Sequence, residues 1–65
     1  MSLEVDFRNV LNGRIGIDNF GAELIRLIFK ADRINRAKLK QVYPNAVKMV
    51  EHYNKTGEIL ELDYD

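Results

Sequence analysis

The sequence predicts an all-α fold: a small bundle of three or four helices followed by an extended acidic tail. Three observations lead to this fold. Apolar residues recur every three to four positions, helix-ending or helix-starting signals occur at Asp32, Pro44 and Gly57, and the middle of the chain has no strand pattern that a sheet could use. Within one domain of residues 1–57, helices are expected near residues 4–12, 19–31, 33–42 and 44–56.

Length and composition limit how this fold can be stabilised. A chain of 65 residues buries only about 60% of its unfolded surface. It has no cysteine for a disulfide and only one histidine for a metal site. We therefore expect no cofactor or metal, and a core stabilised by close helix packing or by self-association.

The first segment, residues 4–17, is open to two interpretations. The apolar residues fit helical spacing, but every second residue from Leu3 to Phe7 is apolar, as in a strand. The pair Asn12-Gly13 fits either the left-handed end of a helix or the turn of a hairpin. The helix is favoured, because a lone hairpin would lack other strands to pair with.

The second helix is expected to start after Asp18 or Asn19, either of which can cap it. Its apolar surface exceeds what one layer of a small bundle covers. We therefore expect it to be either the central helix of the domain or part of a dimer interface. The residues predicted to mediate self-association are Phe20, Leu24, Ile25, Ile28 and Phe29.

The region around Asp32 could continue the second helix or break it. A continuous helix over residues 19–43 would be roughly 37 Å long, which is large for this chain. The break is favoured, because the Asp32 carboxylate can cap a new helix. Pro44 then starts the last helix, and Gly57 ends it.

The third helix carries a basic stripe formed by Arg33, Arg36 and Lys40, which project from one face. Residues 26–55 hold eight basic and two acidic side chains, although the net charge of the chain is zero. The stripe has three interpretations: an ordinary solvated face, a contact for phosphate, or a contact for an acidic protein surface.

The tail, residues 58–65, contains four acidic residues and no basic one. Apolar and acidic side chains alternate from Leu60 onward. The tail is expected either to lie extended with one face on apolar surface or to fray in solvent.

Catalytic patterns are missing from the sequence. His52 is expected on the polar face of its helix without a fixed partner, which is typical of a solvated residue rather than a catalytic base. No histidine pair at zinc spacing and no serine elbow occurs. We therefore do not expect an enzyme.

One stretch of the sequence resembles a known group of proteins. The segment from Lys30 to Leu39, followed by Tyr43-Pro44 and a helix that ends at Gly57, is similar to a pattern in short proteins of phages, prophages and other bacterial mobile elements. There, A-D-x-x-N-R-x-K-L runs into an aromatic-Pro step. The resemblance covers residues 20–57, and it implies a small helical accessory protein rather than an activity.

The resulting functional hypothesis is a non-enzymatic interaction or accessory protein that acts by protein–protein contact. Expected partners are a second copy of the chain, in a homodimer, or a host or phage protein. The alternative is a helix-turn-helix-like DNA-binding protein that uses Arg33, Arg36 and Lys40, against which stand the zero net charge and the acidic tail. No apolar run is long enough to span a bilayer, so we expect a cytoplasmic protein without membrane contact.

Overall fold

The computed structural model describes residues 3–13 and 19–65. Within these ranges all regular structure is helical, which confirms the all-α prediction. The helices, in chain order, are α1 (Leu3–Leu11), α2 (Phe20–Lys30), α3 (Arg33–Val42) and α4 (Pro44–Thr56). In the first segment, residues 3–11 form a helix rather than a strand. Residues 14–18, including the candidate cap Asp18, lie outside the described residues.

The helix ends follow the local signals in the sequence. Gly13 has a φ of 63° after α1, and Gly57 has a φ of 78° after α4. Both are left-handed conformations that glycine adopts without steric cost. Asn19 caps α2, since its Oδ1 accepts a hydrogen bond from the Ala22 amide at 2.8 Å.

The chain breaks between α2 and α3, as predicted. Ala31 and Asp32 both have extended backbone angles. Asp32 Oδ1 accepts a hydrogen bond from the Asn35 amide at 2.8 Å, so its carboxylate starts a new helix. Residues 20–42 therefore form two helices joined by a two-residue turn.

The core lies around α2, which packs against both α1 and α4, and α4 also packs against α3. Of the two roles considered for α2, the structure therefore gives it that of the central helix. At the edge of the core, the half-buried rings of Phe29 and Tyr53 pack on the buried ring of Phe7, with centroids 5.6–6.3 Å apart. The buried apolar residues are Leu3, Phe7, Ala22, Leu24, Ile25, Ile28, Ala46, Val47, Met49 and Val50.

The acidic tail has no regular secondary structure and packs on the helices. Its half-buried apolar residues Ile59, Leu60 and Leu62 lie against the core. Its last residue, Asp65, accepts hydrogen bonds from the amides of Asn45 at 2.7 Å and Ala46 at 3.3 Å. Because the N-cap residue of α4 provides no side-chain hydrogen bond, the Asp65 carboxylate caps this helix from the far end of the chain.

Candidate interaction surface

Among the helices in the described residues, the third, α3, is the only one without a buried residue. Ile34 and Val42 are 69% and 62% exposed. The helix is attached to the rest of the protein by Leu39, which packs at the edge of the core, and by Arg36, whose Nη2 donates to the Ile28 carbonyl at 3.4 Å. An amphipathic helix that leaves its large apolar side chains in solvent is a candidate contact surface.

A groove lies between α2 and α3, which are joined by the short turn at Ala31 and Asp32. The ring of Phe20, at the start of α2, packs 6.0 Å from the ring of Tyr43, just after the end of α3. This α2–α3 groove has a volume of about 420 Å³. Its lining residues are Leu27, Lys30, Ala31, Asp32, Asn35, Lys38 and Leu39.

The apolar surface extends beyond this lining. On α2, Phe20 and Leu27 are 65% and 52% exposed, and their seven-residue spacing places them on one flank of the helix. Val42 continues the apolar surface on α3. The groove and the two helices that line it thus expose several large apolar side chains, which makes this part of the molecule a candidate binding surface.

A second groove lies on the other side of α3, facing α4. Arg33, Arg36, Lys40 and Glu51 line it together with Ala31 and Ala37, and its volume is about 500 Å³. The structure thus brings the three cations of the predicted basic stripe to one place. Their surroundings limit the charge available to a partner: Lys40 Nζ lies 3.4 Å from Glu51 Oε1, and the Arg36 guanidinium is folded back on α2.

The residues predicted for self-association differ in their exposure. Leu24, Ile25 and Ile28 are buried in the core of the monomer, because α2 is covered on both sides by α1 and α4. Phe29 is half-buried and packs on Phe7 and Tyr53. Only Phe20 of the five lies on the exposed surface.

A buried carboxylate that was not predicted from the sequence connects α1 to α2. Asp6 is fully buried, and its Oδ1 accepts a hydrogen bond from Asn19 Nδ2 at 3.0 Å. No described residue donates to its Oδ2. Gly21 lies beside this oxygen and beside the Tyr64 hydroxyl, and a Cβ at position 21 would overlap both. The sequence feature that indicates this burial is the position of Asp6 on the edge of the apolar face of α1.

His52 is half-buried, and its Nε2 lies 4.0 Å from Glu58 Oε2, a contact that is ionic only if the imidazole is protonated. Across residues 3–13 and 19–65, no group of three potential ligands is placed to hold a metal ion.

Comparison with known proteins gives no match: no family model fits the chain, and no curated protein or solved structure is significantly similar to it. The resemblance to short proteins of phages and mobile elements therefore stays a prediction. Among the described helices, none combines the length and apolar character needed to cross a bilayer.

Proposed function

We propose that this protein is a small, non-enzymatic interaction module that contacts another protein through α3 and the α2–α3 groove. The observation that carries the proposal is the exposure of Phe20, Leu27, Ile34 and Val42 on two adjacent helices. In a chain of 65 residues, exposed apolar surface costs stability that a small core does not easily offset. Contact with a partner would remove that surface from water.

The partner on this surface is either a second copy of the chain or another protein. The resemblance over residues 20–57 favours an accessory protein of a phage or mobile element, which would act in the cytoplasm on a phage or host protein. Self-association is the simpler possibility, since it needs no other component. A symmetric dimer would bury the same residues on both copies.

Substitutions that leave the core intact test the proposal. The test variant combines Ile34→Asp with Val42→Asp. If the partner is another protein, we expect this variant to lose binding to a partner that the native chain captures. If the partner is a second copy, we expect the variant to be monomeric in sedimentation equilibrium. Val5→Asp is the matched control, because Val5 is 44% exposed on α1, away from the proposed surface. Equal loss of binding in the control would contradict the assignment of the surface to α3.

DNA binding is the second candidate, supported by the three cations on the rim of the groove between α3 and α4. If it holds, affinity for duplex DNA falls steeply with salt, and Arg33→Ala combined with Lys40→Ala weakens binding on all sequences. Two features count against it: Lys40 is paired with Glu51, and the chain has no net positive charge. Absence of salt-dependent binding at low ionic strength would remove this candidate.

A further inference from the structure

The α2–α3 groove has features that specify its occupant, and we propose that it binds an acidic amphipathic helix from another protein. This inference rests on the proposed function, because it names the partner of the same surface. Four properties of the groove carry it: the spacing of its apolar residues, the charge of its edges, the secondary structure of its walls, and the position of the acidic tail of this chain.

The spacing of the apolar residues along the two helices matches two turns of a docked helix. On α2, Leu27 lines the groove, and Phe20 lies seven residues before it, about 10.5 Å along the helix axis. On α3, the half-buried Leu39 lines the groove, and the exposed Val42 lies three residues further on the same face. A helix with apolar residues at positions i, i+4 and i+7 would place one side chain against each turn of these walls.

The edges of the groove are cationic. Lys30 on α2 and Lys38 on α3 both line it, and both are exposed. Among the described residues that line the groove, only Asp32 is acidic, and its Oδ1 accepts the capping hydrogen bond of α3. An occupant with carboxylates on both sides of its apolar stripe would therefore be complementary in charge.

The walls of the groove favour a helix over an extended peptide. A bound strand gains affinity from main-chain hydrogen bonds to a free sheet edge. Both α2 and α3 satisfy their backbone groups internally, so the groove offers side chains alone. An extended occupant would leave its own backbone groups without protein partners on the side that faces the groove.

The charge of the groove disfavours a second copy of the chain as its occupant. A symmetric dimer through this surface would bring the lysines at the edges of one groove towards those of the other. The acidic tail of the same chain is engaged elsewhere, since Asp65 caps α4. A separate acidic segment therefore fits the groove better than either part of this chain.

The test uses a fluorescent peptide of about 16 residues, a length near the minimum for an isolated helix. It carries Leu at i, i+4, i+7 and i+11, Glu on the flanks and Ala elsewhere, and its binding to the full chain is measured by anisotropy. A second peptide has Lys in place of every Glu. We expect the acidic peptide to bind at least about tenfold more tightly than the basic one at low salt.

Variants of the protein locate the binding. We expect Lys30→Glu combined with Lys38→Glu to reverse the preference between the two peptides, and Leu27→Ser to weaken binding of the acidic one. The matched control is Lys48→Glu combined with Lys55→Glu, which changes the net charge equally but alters exposed lysines of α4 outside the lining. This control should retain the preference for the acidic peptide.

Each contrary outcome has a distinct meaning. If the basic peptide binds as tightly as the acidic one and Leu27→Ser weakens both, the inferred partner is wrong while the proposed surface stands. Binding that Lys30→Glu with Lys38→Glu leaves unchanged would overturn the assignment to the groove. If neither peptide binds, the inference is wrong. The proposed function is tested independently, by the effect of Ile34→Asp with Val42→Asp on partner binding or dimerisation. If the chain dimerises through the groove, the occupant is a second copy of the chain and the inference of an acidic helix is wrong.

Discussion

The consecutive helices α3 and α4 are similar in length and in apolar periodicity, but they have different roles. α4 buries Ala46, Val47, Met49 and Val50, whereas α3 buries no residue. The difference follows from position, because α4 packs against both α2 and α3, whereas the main contact of α3 is with α4. Amphipathic periodicity identifies which side chains share a face, but it does not specify whether that face meets the core or a partner.

The first prediction compares the loss of stability when isoleucine is replaced by alanine in the core and on the exposed face of α3. Ile28 is fully buried and Ile34 is 69% exposed. We expect Ile28→Ala to lower the free energy of unfolding by about 2–5 kcal/mol, through lost burial and an unfilled cavity. Ile34→Ala should change it by less than about 0.5 kcal/mol. Urea denaturation followed by circular dichroism measures both, and similar losses would show that α3 belongs to the core.

The second prediction concerns the hydrogen bond between Asn19 and the buried Asp6, which joins α2 to α1. Asn19 caps α2 and also donates to the buried Asp6. Asn19→Asp preserves the cap but removes the donor and adds a second carboxylate, so we expect a loss of roughly 2–3 kcal/mol in unfolding free energy. Asn19→Ser also preserves the cap but adds no charge, and it should cost about 1 kcal/mol. Equal stability of the two variants would mean that the Asp6 contact is not formed in solution.

Helix boundaries were largely predictable from the sequence because they depend on local chemistry. Asp32, Pro44 and Gly57 act on the backbone within one turn of their own positions. The four helices therefore begin and end within one or two residues of the expected positions.

The distribution of apolar residues between core and surface was not predictable in the same way, since it depends on how distant elements pack. Three of the five residues predicted for self-association lie in the core of the monomer. For the candidate site, the sequence placed Arg33, Arg36 and Lys40 on one face. It did not predict the Lys40–Glu51 ion pair, which joins two helices, or the α2–α3 groove.

A third substitution tests the contact between α2 and the tail. A methyl group at Gly21 would overlap the Tyr64 hydroxyl and the buried Asp6 carboxylate. We expect Gly21→Ala to lower the unfolding free energy by about 1–3 kcal/mol through overpacking. The loss should be smaller in a Tyr64→Phe background, which a double-mutant cycle measures. Strict additivity of the two substitutions would show that Tyr64 does not lie against Gly21.

The smallest effect concerns the cap of α4. Asp65→Ala removes the carboxylate that accepts hydrogen bonds from two amides of the first turn, and it should cost about 1 kcal/mol of unfolding free energy. Asp63→Ala is the matched control, because Asp63 contacts Asn45 only through its backbone carbonyl. If thermal unfolding gives the same midpoint for both variants, the tail does not cap α4.

The central claim is that α3 and the α2–α3 groove form the contact surface, while α1, α2, α4 and the tail stabilise the fold. Titration of isotope-labelled protein with the acidic helical peptide, followed by backbone amide NMR shifts, tests it directly. We expect the largest changes in chemical shift at the amides of Leu27, Ala31, Asn35 and Leu39. Changes concentrated on α1 or on residues 58–65 would contradict it.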